Sequence, residues 1–242
     1  MTDDGSAGTY RDALVGLRDA GIPHLLGGAF AMRHYTGIER QTKDLDVFVR
    51  RADVDRALAA LATAGFTTEI TSPAWLAKAT REGHLVDFVF GADNGIADVD
   101  DLWFEHAEAG ELLGFPVAVI PVEEMLWSKA FVMERHRYDG ADVAHLLRAR
   151  AERLDWQRLL TRFGPHWRVL LAHLVLFGFI YPGEAAAVPD RVMRDLLQRL
   201  EGEIRVPPDV EGVCQGTLLS REQYTVDIER WEYRSARDLT RT

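Results

Sequence analysis

Apolar and polar residues recur along this chain with two periods, and the pattern changes once. Apolar residues at Tyr10, Ala13, Leu14 and Leu17 have helical spacing, and Gly21 can end that helix. "IPHLL" reads as a short strand running into Gly27-Gly28, "AFAMRHY" as a helical segment and "DLDVFV" as a strand. "ADVDRALAALATAG" is an amphipathic helix with Asp53 near its start and Gly65 at its end. "FTTEI" and "HLVDFVF" read as strands flanking a short helix around Trp75, "ADVDDLWFEHA" as a helix and "FPVAVI" as another strand. Interleaved helices and strands up to about Pro121 predict an α/β layer. Beyond it, "VEEMLWSKAFVMER", "GADVAHLLRARAERL", "WQRLLTRF", "HWRVLLAHLVLFGF" and "DRVMRDLLQRLEGEI" all carry 3.6-period apolar faces. Pro207-Pro208 then interrupts the pattern. The expected organisation is an α/β domain over 1–120, a helical domain over 121–205 and a polar C-terminal tail over 206–242.

Composition narrows the class. The 242 residues are enough for a sizeable core, and 47% hydrophobic with 27% charged content is that of a soluble globular protein. "VLLAHLVLFGFIYPG", Val169 to Gly183, is too short for a bilayer span and contains His173, so it is expected as a buried core helix and no membrane partner is expected. The single cysteine, Cys214, rules out an internal disulfide framework, and the acidic N-terminus lacks the features of a signal peptide. A cytoplasmic location is expected. A formal charge of −10 disfavours non-specific DNA binding. Lysine is scarce: Lys43, Lys78 and Lys129 stand among many arginines.

Candidate chemistry lies between Leu25 and Val49. Gly27-Gly28 falls where a strand turns into a helix, so a phosphate could approach bare backbone and free helix N–H groups. The plain alternative is a tight turn. Asp44 and Asp46, at i and i+2 of a strand, project from one face, where their repulsion asks for a cation. Val47, Phe48 and Val49 follow at once, so the pair marks the edge of a core strand. Asp87 is the one acid in "HLVDFVF", and a strand-interior carboxylate needs a partner or a metal. Either a metal site or a structural ion pair satisfies it. No HxxxH or Cys/His spacing for zinc occurs, although His24 and His84 lie in or beside these strands. Ser220 in "GTLLSREQY" lacks a hydrolase nucleophile's context.

Gly27-Gly28, Asp44-x-Asp46 and the later Asp87 together resemble the DNA polymerase β-like nucleotidyltransferase superfamily. "ERQTKDLDVFV" is most similar to minimal bacterial members, including AbiEii-type proteins, whose Arg-x-Thr/Ser-x-Asp-x-Asp run is matched by Arg40, Thr42, Asp44 and Asp46. Gly28 stands where many members have serine. "SKAFVMERHRYDGADVAHLLR" resembles the helix pair that follows the sheet in those proteins, matching Lys129, Arg135, Arg137, Asp139 and Asp142, with His145 where an acid is usual.

The resemblance implies a mixed-sheet α/β (α+β) domain followed by a helical domain. It implies transfer of a nucleoside monophosphate from a nucleoside triphosphate (NTP) to a hydroxyl of a small molecule, a tRNA or a protein. Asp44, Asp46 and Asp87 would be catalytic and bind Mg2+ (or Mn2+). Gly27, Gly28, Arg40, Thr42 and Lys129 would contact the nucleotide. A non-catalytic nucleotide-binding or regulatory protein of toxin–antitoxin type, and a metal-dependent phosphohydrolase, remain as alternatives.

Overall fold

The computed structural model describes residues 4–208 and 210–239. The chain divides into two compact units, Met1–Pro121 and Val122–Thr242. The first contains α1 (Asp4–Asp19), β1 (Leu25–Leu26), α2 (Gly28–Thr36), β2 (Asp44–Phe48), α3 (Val54–Thr63), β3 (Thr67–Ser72), β4 (Leu76–Arg81), β5 (His84–Val89), α4 (Asp101–Glu105), β6 (Glu108–Leu112) and β7 (Phe115–Val119). Its strands form one seven-stranded mixed sheet in the order β3-β4-β5-β2-β1-β7-β6. β2 runs parallel to β5 and antiparallel to β1, and β1 runs parallel to β7. The expected α/β domain with a mixed sheet is therefore present.

Strand alternation explains how the sheet faces differ. Leu45, Val47, Val49, Ala77, Ala79, Val86 and Phe88 form one core with Leu14 and Leu17 of α1 and Leu58 and Leu61 of α3. The intervening residues of β2 (Asp44, Asp46 and Phe48) fall on the opposite face. Phe48 is covered there by Trp103 of α4, with stacked rings 5.3 Å apart. One face is thus sealed by apolar packing, and the other carries acids beside an aromatic stack.

Two stretches depart from the periodicity reading. The short helix expected around Trp75 is the turn between β3 and β4, and the following "LAKATR" is a strand paired on both sides. Its alanines and lysine favour strands weakly, so pairing with β3 and β5 sets its conformation. The helix expected over 97–107 shrinks to α4, which Asp100 caps by accepting a hydrogen bond from the Leu102 amide at 3.1 Å. Glu108–Leu112 is instead a strand, returned onto β7 through Leu113 (φ 54) and Gly114 (φ 79). Two positive φ values are the signature of a twisted two-residue hairpin turn.

The second unit holds α5 (Val122–Ala130), α6 (Gly140–Arg150), α7 (Trp156–Phe163), α8 (Trp167–Ile180) and α9 (Asp190–Arg205). Leu126, Leu146, Leu159, Phe163, Leu170, Leu174, Phe177 and Leu196 are buried. By length and composition alone, Trp156–Ile180 is apolar and long enough to cross a membrane, at 25 residues and mean hydropathy 1.3. It is interrupted by a 3-10 turn at Gly164–His166. The buried core helix expected at 169–183 is buried on one face only, since Phe179 is 83% exposed and Val175 56%. The stretch expected as a polar tail is folded: it carries the parallel pair β8 (Val213–Cys214) and β9 (Arg234–Ser235) and the short helices α10 (Thr225–Glu229) and α11 (Ala236–Leu239). Thr217 and Ser235 meet there as buried hydroxyls 3.2 Å apart.

Candidate active site

The parallel pairing of β2 and β5 assembles the carboxylates. Asp46 is the register partner of Asp87, and Asp44 that of Leu85. Partners on adjacent strands project to the same face, and Asp44 lies one pleat repeat from Asp46. Asp44, Asp46 and Asp87, distant in sequence, thus share one sheet face, each partly buried.

Gly27 and Gly28 serve this face by being small. The Gly27 amide donates to the Asp46 carbonyl at 3.0 Å, which docks the start of α2 on β2. A Cβ at Gly28 would lie 1.7 Å from Asp46 Oδ2, and one at Gly27 2.1 Å from the Phe48 ring. Gly28 also has φ +52, which side chains rarely adopt. The glycine pair therefore does more than turn the chain. It lets the N-terminus of α2, with its unsatisfied amides, lie against the Asp46 carboxylate. A serine at position 28 would not fit here without movement of Asp46.

A cleft of about 450 Å3 opens over Asp44 and Asp46, and Asp87 is not among its lining residues. Tyr10, Gly27, Arg40, Thr42, Asp44 and Asp46 line its polar part, while Phe30, Leu112 and Leu113 supply an apolar wall. Thr42 Oγ1 is placed to donate to Asp44 Oδ1 or to the Asp44 carbonyl, which fixes the first carboxylate. Arg40 is exposed at the rim, and the neighbouring Arg33 pairs with Glu39 at 3.1 Å. Leu113 holds a positive φ in the hairpin tip, where asparagine or glycine is the usual choice.

Electrostatics mark the same place. Burial raises the Asp87 carboxyl above the ordinary aspartate range; Lys78 opposes this and Asp44 adds to it. Asp87 Oδ1 is buried without a hydrogen-bond partner, and the Lys78 ammonium stands 3.6 Å away. Burial, then repulsion from Asp44, Asp46 and Asp87 in turn, raises the Tyr10 phenol, so its hydroxyl keeps its proton. An orphaned carboxylate oxygen among oxygen donors suits a hard divalent cation. Among the described residues, however, no group of three His, Cys, Asp or Glu side chains closes to metal-binding geometry. The three aspartates share a face without forming a cage, so any ion held there would need ligands from elsewhere, such as phosphates.

Sequence reasoning missed Tyr10 and Lys78. Tyr10 served as one apolar mark in a helical pattern, and its hydroxyl left no trace in the periodicity. Lys78 fell where a short helix was expected; its scarcity in an arginine-rich chain was the available signal. His84 packs edge-on against Tyr10, with ring centroids 6.3 Å apart. His24 lines a different cavity, with Arg18, Ile22 and Pro116.

Lys129 belongs to the second unit. Its ammonium lies 2.9 Å from Asp139 and 2.7 Å from Asp142, with its side chain 17% exposed. It sits in an ion cluster with Asp139 and Asp142, which Arg137 joins at 3.5 Å from Asp139, instead of on a solvated helix face. Its surroundings within that unit lend no support to a triphosphate contact.

Comparison with known proteins adds a family. A family model described as uncharacterised nucleotidyltransferase matches residues 7–171. Comparison with curated proteins returns no match. Among solved structures, the chain is similar to the antibiotic-resistance factor ANT(2″)-Ia, at 15% identity, covering 84% of this chain and 99% of that one, with a TM-score of 0.47. It is similar to an antigenic nucleotidyltransferase-like protein from Paracoccidioides brasiliensis, at 14% identity, 76% and 92% coverage and a TM-score of 0.47. It is also similar to the lincosamide antibiotic adenylyltransferase LnuA, at 14% identity, 60% and 96% coverage and a TM-score of 0.41. By the match that spans most of its length, the chain belongs to the uncharacterised nucleotidyltransferase family.

Proposed function

We propose that the first unit transfers a nucleoside monophosphate from an NTP to a hydroxyl of a small-molecule acceptor. The observation that carries this reading is the register of Asp46 with Asp87 on parallel neighbours, with Asp44 one repeat away and the glycine-led start of α2 against Asp46. The acceptor oxygen bonds to the α-phosphorus, the bond from that phosphorus to the α–β bridging oxygen breaks, and pyrophosphate departs. Asp87 takes or orients the acceptor's proton. Thr42 fixes Asp44, Arg40 at the rim meets triphosphate charge, and the amides of α2 offer an anion site.

Asp44 and Asp46 would hold Mg2+ (or Mn2+) together with the phosphates of the substrate, with Asp87 beside them on the same face. Such an ion neutralises charge on the reacting triphosphate. The apolar wall of Phe30, Leu112 and Leu113 suits the nucleobase or the acceptor ring. A cleft of about 450 Å3 and a charge of −10 favour a small acceptor over a long polynucleotide. The free thiol of Cys214 suits a reducing compartment such as the cytoplasm.

Incubation with α-labelled NTPs and fractionated metabolite, tRNA and protein pools tests the reading. Label should move to one low-molecular-weight fraction with wild type and not with Asp44→Asn. Nucleotide binding without transfer to any fraction would make the chain a non-catalytic binder. Release of orthophosphate or pyrophosphate to water alone would make it a phosphohydrolase.

A further inference from the structure

Lys78 is the feature of the first unit that this mechanism leaves unused. On β4 it is the register partner of Asp87, and on its other side it faces Glu69 of β3. With Asp87 paired to Asp46, one row across four strands reads Glu69, Lys78, Asp87, Asp46. The Lys78 ammonium stands 3.6 Å from Asp87 Oδ1, with side chains 27% and 15% exposed. That is ion-pair range but too long for a hydrogen bond, and Asp87 Oδ1 has no other partner. Lys129, in contrast, closes on its two aspartates at 2.9 and 2.7 Å. Lys78 is therefore placed near Asp87 without consuming its oxygen.

We propose that Lys78 is a positioning residue, the resident cation of the acceptor side, standing in for a second divalent ion so that the site works with one. The proposal rests on the nucleotidyl-transfer reading above. Two-ion sites clamp the attacking and leaving oxygens with cations about 3.5–4 Å apart. A lysine ammonium at 3.6 Å from Asp87 already puts a positive charge on the attacking side. A divalent ion bound at the same oxygen would face that fixed charge at close range in a partly desolvated site. The absence of a three-donor group among the described residues fits this division. Asp44 and Asp46 are left for the ion that arrives with the triphosphate, and Asp87 is held by lysine. Scarcity sharpens the point, since in a chain whose usual cation is arginine this site has a compact ammonium.

The test counts ions without relying on turnover. Mn2+ retained by the full chain is measured by equilibrium dialysis with a saturating non-hydrolysable NTP, for wild type, Lys78→Met and Lys78→Met/Asp87→Asn. Circular dichroism checks that each variant is folded. Wild type should hold one Mn2+ per chain. Lys78→Met should gain a second ion, binding ~10-fold or more tighter than any second ion in wild type, and the double variant should return to one. Two tight ions in wild type, or no second ion in Lys78→Met, overturns the proposal while leaving nucleotidyl transfer standing. No Mn2+ retained by wild type with nucleotide overturns both.

Discussion

Two groups of buried charge in this chain obey opposite rules. In the second unit, Glu124 is fully buried, yet its oxygens accept from Arg158 at 3.1 Å and from Arg162 at 3.0 Å. Glu123 accepts from Arg158 and from the Asp155 amide. In the first unit, Asp87 is partly buried, its Oδ1 accepts nothing, and the nearest ammonium stops short of hydrogen-bond distance. A charge cluster built for the fold satisfies its oxygens internally. One built for a ligand leaves coordination open and is held in place by surrounding structure.

That contrast is open to attack, beginning with its largest expected effect. Asp44→Asn should lower label transfer by ~10^3-fold while leaving the urea midpoint within error, because the residue binds charge and fills no core. A large fall in stability would place Asp44 with the structural acids. The reverse substitution is Glu124→Gln, which removes the charge shared by Arg158 and Arg162 in a buried site. It should cost about 3–5 kcal/mol in urea unfolding. An unchanged midpoint would mean that the arginine network is ornamental.

Gly28→Ala probes the junction of backbone and acid. The φ of +52 alone should cost about 1–2 kcal/mol, and the Cβ must displace Asp46 Oδ2, so nucleotide affinity should fall with stability. Retained affinity would detach the glycine pair from the site.

The smallest effect is Asp87→Asn. Burial lifts the Asp87 carboxyl in the folded chain above its unfolded value. The folded state therefore binds the proton more tightly, and this contribution to stability is full below the unfolded value near 3.8. It is lost as pH rises through the folded value. In metal-free buffer, Asp87→Asn should melt higher than wild type at pH 8, and the gap should narrow by pH 4. A lower melting point for the variant at pH 8 would make the pairing with Lys78 a fold-supporting bond.

Much of this was legible in sequence because strand alternation is a strict code. Asp44 and Asp46 had to share a face, and the apolar residues between and after them had to seal the other. What could not be read was which strand lies beside which. The Asp46–Asp87 register depends on β5 crossing over to lie parallel to β2. Lys78 reaches that row only because β4 is a strand, and "LAKATR" has a composition that local preference would not assign to one. Tyr10 joins the site through a tertiary contact, which no helical pattern encodes. The ion cluster around Lys129 was hidden for the same reason, since its partners come from beyond its own helix.

The parallel register of β2 and β5 also bears on how the chain folds. About forty residues of helix and hairpin separate Asp46 from Asp87, so their meeting is a long-range closure whose entropy is lost before packing repays it. Asp87 adds its repulsion to that of Asp44 and Asp46 only when β5 docks, so that part of the cost falls on this pairing. β2 and β5 must therefore be driven together by the apolar side of the same two strands, Leu45, Val47, Val86 and Phe88, against the resistance of the acidic side. The same pair of strands thus pulls the sheet together on one surface and pushes it apart on the other.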